Sequence, residues 1–360
     1  MNELLIYYVA FGAMIFSALF AKKNNFDKEK TKIIIVTVSL LSLTLLLGLR
    51  HPSMGIDLGY NRYYGYLVSF EEISKLSLID VIKLGGYQNY EKGYILLNRL
   101  IGFISTDPQV FLFIYSLLSF LPVSYIIYKK SNNPLFSFII YIGLPIFTAH
   151  FSTLRQVLAV GVCLIAMEFI EKKDLARFLL TVFIASTFHS SAILFVVAYP
   201  AYRIKLPIQW RLASVFAFPL IFVFRTPLFN ILSKLLKENA VAEDNGSINF
   251  FLLLVAIYMF CILFFDTKDR RVNGYLNIFY ISCCCQIFGN IYMTAIRVAW
   301  FFMTVLILLL PYGISTIRSK KLAHRFTMLI MFAFLMFGLY TLRTTGWAQS
   351  YPYYFYWHYV

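Results

Sequence analysis

Twelve apolar stretches divide this chain of 360 residues, and most of them are long enough to cross a lipid bilayer. A membrane-spanning helix needs about 20 apolar residues, with a range of about 17–25. A single segment in lipid satisfies its backbone N–H and C=O groups only as a helix. The sequence therefore predicts an all-α polytopic membrane protein with about twelve transmembrane helices. The stretches are 3–21, 32–49, 109–128, 134–150, 156–170, 175–188, 190–202, 208–224, 249–266, 275–293, 298–317 and 322–342.

The composition excludes a soluble globular protein. Hydrophobic residues make up 60% of the chain and charged residues 14%, against about 45–50% and about 25% in soluble domains. The net charge of +15 would suggest nucleic acid in a soluble protein. Here the basic residues interrupt apolar runs, so we interpret them as topology signals and expect no nucleic-acid partner. With no repeat or soluble segment, residues 1–360 are predicted to form a single transmembrane domain.

Lysine and arginine are concentrated in the short loops between alternate apolar stretches. Short cytoplasmic loops carry an excess of these residues. With twelve spans, all six basic loops fall on one side, which we assign to the cytoplasm, and both termini lie outside. The first stretch has no basic segment before it, which argues against a cleaved signal peptide. The basic loops are 22–32, 129–130, 172–177, 203–211, 268–271 and 318–325.

This topology leaves two long outer loops, 50–108 and 225–249. Apolar residues recur at helical spacing within 71–84 of the first loop. A second apolar piece, 94–104, is too short to span and carries polar residues. We interpret both as interfacial or re-entrant helices at the outer surface.

The five cysteines all lie within apolar stretches, and three of them are consecutive. Neither a CxxC pair nor the Cys/His spacing of a metal site occurs. We expect buried thiols of structural use, no metal and no cofactor. The cysteines are Cys163, Cys261, Cys283, Cys284 and Cys285.

Most of the isolated polar residues fall at the outer ends of predicted spans or in the outer loops. Arginine offers a rigid fork of donors to phosphate oxygens and keeps its charge. A helix that begins at Arg155 or Arg297 also directs its N-terminal N–H groups outward, which favours an anion. The set therefore suits a diphosphate. The candidates are Arg50, Asp57, Tyr60, Tyr64, Glu91, Arg155, Gln156, His189, Arg297, Arg343 and Tyr354.

A histidine or carboxylate beside such an anion can take a proton from an attacking hydroxyl. Each candidate also has a structural interpretation: Arg50 and Arg343 as interfacial anchors, Asp57 as a turn former between glycines, and Glu91 as an acid at a helix N-terminus. The tyrosine-rich C-terminus, which includes Tyr354, is typical of an interfacial aromatic belt as well as of a sugar-stacking surface. The predicted topology puts these candidates on one side of the membrane. This shared side favours a common functional site over separate structural roles.

At these residues the chain resembles the EpsG family of bacterial exopolysaccharide proteins, a branch of the Wzy-type polymerases. The matching pieces run in the family's order over most of the chain, and the Leu-Arg-Gln and Phe-His-x-Ser-Ala pieces are the most distinctive. They are Arg50, Gly55-Ile56-Asp57 with the tyrosines to Tyr64, Glu91 with Gly93-Tyr94, Leu154-Arg155-Gln156 with Leu158-Ala159, Phe188-His189 with Ser191-Ala192, Arg297, and Tyr353-Tyr354-Phe355.

The resemblance implies a GT-C-like, metal-independent glycosyltransferase of the bacterial cytoplasmic (inner) membrane, with its active site facing outside. It implies that repeat units carried on undecaprenyl diphosphate serve as both donor and acceptor, without a nucleotide sugar. Membrane lipids, a flippase and chain-length-control proteins are the further partners we expect.

For the mechanism, we expect Arg155 and Arg297 to hold the donor diphosphate, with Arg50 or Arg343 assisting. One of His189, Asp57 and Glu91 would deprotonate the acceptor hydroxyl, and we favour His189. Three other functions remain open: a transporter or flippase of the same lipid-linked oligosaccharide, a membrane acyltransferase that modifies polysaccharide, and a structural assembly partner.

Overall fold

The structure is a computed structural model that describes residues 4–83, 90–235 and 248–358. Within these ranges the chain forms eighteen α-helices and four short 3-10 helices, and an isolated β-bridge joins Arg50 to Phe355. The predicted all-α class is confirmed. The helices are α1 Leu5–Lys23, α2 Lys28–Gly48, α3 Tyr66–Ile73, α4 Leu78–Lys83, α5 Lys92–Gly102, α6 Pro108–Lys130, α7 Pro134–Gly143, α8 Pro145–Ala149, α9 Leu154–Lys172, α10 Leu175–Ser186, α11 Ala198–Arg203, α12 Ile208–Val223, α13 Arg225–Leu235, α14 Asn249–Phe264, α15 Arg270–Ile287, α16 Met293–Met303, α17 Leu306–Ser315 and α18 Lys320–Thr344.

Four of the described helices are long and apolar enough to cross a membrane: α1, α2, α6 and α18. Two bent pairs also qualify if each is taken as one span, namely α12 with the start of α13, bent by 76°, and α16 with α17, bent by 41°. The chain is therefore a helical membrane protein with four to six candidate spans among the described residues. The count of twelve stays a prediction.

Several predicted spans are interrupted rather than continuous. Stretch 134–150 forms two helices because Leu144 precedes Pro145 and takes an extended conformation, with ψ near 146°, as a residue before proline favours. Stretch 190–202 begins as the 3-10 helix Ser190–Val197 before α11 starts. These breaks shorten the helices below the length needed to span lipid.

The predicted first outer loop, 50–108, contains the helices α3, α4 and α5. α5 confirms a helix at 94–104, and it buries one face through Tyr94, Ile95, Asn98 and Ile101. The single helix expected at 71–84 is wrong, because α3 ends at Ile73 and α4 begins at Leu78. Ser77 explains the restart. Its hydroxyl accepts from the Asp80 N–H at 3.1 Å, as an N-cap does.

The second predicted outer loop, 225–249, is helical where it is described. α13 occupies Arg225–Leu235, and the position of this segment on the outer side of the membrane stays a prediction. Pro227 falls in the first turn of α13, where its missing N–H removes no helical hydrogen bond. Residues 236–247 of the predicted loop, and 84–89 of the first one, lie outside the described residues.

The chain divides into two compact units. The first contains Met1–Ile193 and Leu329–Val360, and the second contains Leu194–Met328. In the first unit, α2 packs against α1 and α6, and α9 packs against α6 and α10. In the second, α15 is the central helix and packs against α11, α14, α16 and α17. The single transmembrane domain over 1–360 stays a prediction.

Residues 345–358, which follow α18 and are called the C-terminal segment, are hydrogen-bonded to the ends of α1 and α2. The Tyr353 hydroxyl donates to the Leu46 carbonyl at 2.8 Å, and the Tyr7 hydroxyl donates to the Ser350 carbonyl. Backbone hydrogen bonds flank the Arg50–Phe355 bridge, from the His51 N–H to the Tyr354 carbonyl at 2.8 Å and from the Tyr356 N–H to the Leu49 carbonyl at 3.0 Å. The C-terminal segment is therefore anchored to the first unit.

All five cysteines are free. Cys163, Cys261 and Cys283 are buried, as expected, whereas Cys284 and Cys285 are only partly buried. No group of three or more histidine, cysteine or acidic residues in the described ranges could hold a metal ion.

Candidate active site

Three of the sequence candidates, Glu91, Arg155 and His189, meet in the first unit. Nη1 of Arg155 donates to Oε2 of Glu91. The other carboxylate oxygen of Glu91 accepts the Ser190 N–H at 2.8 Å and lies 3.5 Å from Nδ1 of His189. The last distance is long for a hydrogen bond, and Nδ1 has no other partner in the described part of the chain, so we treat it as a close electrostatic contact. We call these three residues the acid–base cluster.

The cluster joins three separate elements. Glu91 immediately precedes α5, Arg155 lies in the first turn of α9, and His189 follows α10. Glu91 occupies the N-cap position of α5, yet its side chain makes no capping hydrogen bond to that helix. It reaches instead to the chain that follows α10. The simple structural interpretation of Glu91, as an acid that stabilises its own helix, is therefore insufficient.

Gly93 allows the start of α5 to approach the end of α10. The Gly93 N–H donates to the Thr187 carbonyl at 2.9 Å. A Cβ at Gly93 would overlap both the side chain and the backbone of Thr187. The glycine two residues after Glu91 thus brings the carboxylate beside His189.

Tyrosines surround the arginine of the cluster. Nε of Arg155 donates to the Tyr66 hydroxyl at 3.4 Å, and the guanidinium carbon lies 4.5 Å from the centre of the Tyr90 ring. The latter is a cation–π contact. Tyr115 donates to the Leu154 carbonyl at 3.0 Å and so fixes the start of α9. These contacts hold the guanidinium plane in one orientation.

The acid–base cluster is only partly covered. The side chains of Arg155, Glu91 and His189 retain 19%, 17% and 16% of their exposure. They are dry enough for strong electrostatic interactions and open enough to contact a ligand.

Glu91 is held as a carboxylate. Burial alone would raise its pKa, but the contact with His189, the Ser190 N–H and the charge of Arg155 together lower the pKa of Glu91 to about 2. Burial raises the pKa of the neighbouring Tyr66 phenol to about 12. At neutral pH, Glu91 is therefore an anion and a weak base, and Tyr66 is a neutral hydroxyl.

Asp57 belongs to a loop that packs beside the start of α9. Its backbone N–H donates to the Ser152 hydroxyl at 3.2 Å, and Leu58 shares a hydrophobic cluster with Tyr66 and Leu154. In the described part of the chain, the groups that contact His189 include Glu91 but not Asp57. The loop turns sharply at Gly55, Gly59 and Gly65, which have φ of 120°, 79° and 139°.

Arg50 is an internal cation. It is 1% exposed, and its Nη2 donates to the Phe151 carbonyl at 3.3 Å. Its Nε and Nη1 have no hydrogen-bond partner among the described residues. Burial, opposed by Tyr353 and Tyr7, lowers the pKa of Arg50 to about 10, so it remains charged at neutral pH. Arg50 supports the junction between α2 and the C-terminal segment.

The remaining candidates of the first unit differ in their exposure. Gln156 follows Arg155 in α9 and is buried. Tyr64 is 66% exposed, Tyr60 is exposed, and Arg343 is exposed with its guanidinium 5.8 Å from the Tyr351 ring centre. Tyr354 is half-buried and accepts the His51 N–H through its carbonyl.

Arg297 belongs to α16 in the second unit. Its side chain is exposed. The expected convergence of Arg297 with Arg155 stays a prediction.

Two residues of the site, Tyr66 and Tyr90, were not among the candidates from the sequence. Tyr66 and Tyr90 contact Arg155 directly, but the chain has 26 tyrosines and nothing local distinguishes these two. The only available signal was the position of Tyr90 directly before Glu91.

His150 is a structural histidine. Both of its ring nitrogens are hydrogen-bonded, to Tyr141 at 2.6 Å and to Ser119 at 3.3 Å.

The helices and the partly covered acid–base cluster define a multi-span membrane protein with a candidate proton-transfer group. The family model of the EpsG family matches residues 33–355, and the chain belongs to the EpsG family. The match includes every candidate residue from Arg50 to Tyr354, and membership indicates a membrane protein of exopolysaccharide production. No curated protein and no solved structure matches the chain.

Proposed function

We propose that this chain is a polysaccharide polymerase, a glycosyltransferase that joins repeat units carried on undecaprenyl diphosphate. It acts at the outer face of the bacterial cytoplasmic membrane, within a GT-C-like fold of about twelve spans. EpsG-family membership supports a role in exopolysaccharide production. The observation that supports a glycosyl transfer with proton abstraction is the convergence of Glu91, Arg155 and His189.

His189 is the proposed general base. The anionic Glu91 faces Nδ1, so it favours the tautomer that carries its proton there and leaves the Nε2 lone pair for a substrate hydroxyl. With its pKa near 2, Glu91 is too weak a base to serve itself. Its role is to orient His189 and to stabilise the imidazolium that forms. Asp57 remains the alternative base.

The reaction is a substitution at the donor's anomeric carbon. The acceptor hydroxyl oxygen attacks that carbon while its proton moves to Nε2 of His189. The bond between the anomeric carbon and the phosphate oxygen breaks, and the electron pair leaves with the undecaprenyl diphosphate. A diphosphate is already a stable anion, so the cluster needs no separate acid.

Arg155 has a structural and a substrate role in this proposal. Its Nη1 and Nε are used by Glu91 and Tyr66, which leaves the Nη2 N–H groups for a phosphate oxygen. Arg297 would supply the second charge. Of the two assisting arginines, we propose Arg343, because Arg50 is buried while Arg343 is exposed.

Purified full-length protein, incubated with lipid-linked repeat units and analysed on a gel, tests the proposal. We expect a ladder of products from the wild type.

A single general base contributes about 10²–10⁴-fold to the rate, so His189→Ala should retain traces of product. Arg155→Ala should lose more, because it removes both the diphosphate contact and the partner of Glu91. The exposed His324, replaced by alanine, is the matched control. Near-wild-type ladders from both variants would refute the assignment.

A second function is favoured by the two bent helix pairs, α12–α13 and α16–α17. Interrupted helices are common in transporters, where they surround the substrate site. A transporter of lipid-linked oligosaccharide would move labelled units across a vesicle membrane without lengthening them. The same purified protein in sealed vesicles distinguishes the two functions, since a polymerase lengthens units supplied on one side only.

A further inference from the structure

A small polar pocket opens in the first unit, formed by the loop after α2 and by the C-terminal segment. Its volume is about 190 Å³, and its lining residues are Ser53, Gly55, Ile56, Tyr60, Arg62 and Gln349. This is below the roughly 300–1,000 Å³ typical of sites for drug-sized ligands. The pocket therefore suits a single ring, such as one sugar residue.

The walls of the pocket are fixed by contacts behind them. Nδ1 of His51 lies 2.8 Å from the Ser53 hydroxyl and accepts the Ser53 N–H at 3.2 Å. The His51 ring meets the Tyr60 ring edge-on at 5.0 Å. Burial lowers the pKa of His51, and electrostatic repulsion from His358 lowers it further. The His51 imidazole is therefore neutral at neutral pH. A neutral histidine thus positions both a hydroxyl and an aromatic side chain.

The opposite wall of the pocket, formed by Gln349, is also fixed in position. Gln349 has a left-handed backbone, with φ of 48°, and follows the short 3-10 helix Gly346–Ala348. The hydrogen bonds around the Arg50–Phe355 bridge attach this segment to the loop. Two segments far apart in sequence therefore form one preorganised site, and preorganisation reduces the entropic cost of binding.

The lining is rich in donors and positively charged. Ser53, Tyr60 and Gln349 offer hydroxyl and amide groups that match sugar hydroxyls. Arg62 is exposed, and the described residues show no hydrogen bond or ion pair to its guanidinium. None of the six lining residues is acidic. The pocket therefore favours a ring that carries an anionic group.

We propose that this pocket is a subsite for a sugar residue that carries a carboxylate, with the Arg62 guanidinium binding the carboxylate and the Tyr60 ring contacting the sugar. The planar fork of arginine matches a carboxylate through two parallel hydrogen bonds. The inference rests on the proposed function in that the sugar belongs to a repeat unit. The subsite would select acidic repeat units over neutral ones.

Binding to the full-length protein in lipid nanodiscs tests the subsite without requiring polymerisation. The probes are a disaccharide that contains glucuronate and the matched disaccharide that contains glucose. We expect the glucuronate probe to bind at least about tenfold more tightly, which corresponds to about 1.4 kcal/mol. Arg62→Gln should abolish this preference and leave the affinity for the neutral probe unchanged, and Arg62→Lys should restore part of it. Arg177→Gln, at another exposed arginine, is the control.

Other outcomes would overturn the proposal. Equal affinities for the two probes would do so, as would an undiminished preference in Arg62→Gln. Farnesyl diphosphate that competes with the glucuronate probe in an Arg62-dependent manner would assign the pocket to the lipid diphosphate instead. His189→Ala should bind the glucuronate probe normally, so failure of the catalytic proposal and failure of the subsite give different results.

Discussion

Glu91 is the residue through which the acid–base cluster is connected. One carboxylate oxygen pairs with Arg155, and the other accepts the Ser190 N–H and faces His189. The carboxylate is stabilised in its ionised form, with a pKa of about 2. A depressed pKa means that the folded state gains stability from Glu91 at pH values above the unfolded pKa.

Glu91→Gln should therefore change the dependence of stability on pH. The contribution of Glu91 is fully present above pH about 4.5, its ordinary pKa, and is lost as the pH falls towards about 2. We expect the variant to unfold at a lower temperature than the wild type at pH 7, and the difference to narrow by pH 3. Thermal unfolding in detergent measures this. The exposed Glu72, replaced by glutamine, is the control. A difference that stays constant between pH 7 and pH 3 would contradict the ion pair.

The geometry of the site depends on how closely α5 approaches α10. The Thr187 carbonyl, at the end of α10, accepts the N–H groups of both Gly93 and Tyr94, at 2.9 and 3.3 Å. The approach leaves no room for a side chain at Gly93. Because Glu91 lies just before α5 and His189 just after α10, a shift between the two helices would separate the carboxylate from the imidazole.

Gly93→Ala should damage both stability and activity. Overpacking of this kind typically costs about 1–3 kcal/mol, and the displacement of α5 should reduce polymer formation as well. Gly12→Ala in α1 is a matched control, because a Cβ there meets nothing within 4 Å and alanine is the better helix former. Unfolding temperature and ladder yield, measured on both variants, test the close approach. A Gly93→Ala protein as stable and active as wild type would show that the helices tolerate the added methyl group.

An outer-face polymerase needs its active site on the outer side of the membrane. The basic loops are predicted to be cytoplasmic, which puts the loop after α2 and the acid–base cluster outside. Tyr63 is 99% exposed in that loop. It therefore offers an accessible marker of the outer face.

Labelling of intact cells tests the topology. Tyr63→Cys should react with a membrane-impermeant maleimide, above the wild-type background from the native cysteines. Lys320→Cys, in a predicted cytoplasmic loop, should react only after permeabilisation. The reverse pattern would place the cluster on the cytoplasmic side and remove the basis for an outer-face polymerase.

The sequence predicts the parts of this protein that depend on local chemistry. Apolar runs predict helices, and isolated polar residues at their ends identified Glu91, Arg155 and His189 as candidates. The burial of Arg50 could not be predicted, because it depends on the C-terminal segment packing against α1 and α2. The break at Leu144–Pro145 was predictable from the proline rule. The choice of Tyr66 and Tyr90 among the tyrosines required the tertiary structure.

A double-mutant cycle on Glu91 and His189 tests whether the two side chains act together, with the initial rate of polymer formation by purified protein as the readout. If the two side chains act as one unit, each single variant loses most of their joint contribution. We predict that Glu91→Gln slows the His189→Ala protein by a much smaller factor than it slows the wild type, because only its effect through Arg155 then remains. Independent losses that multiply in the double variant would contradict the coupling of Glu91 to His189.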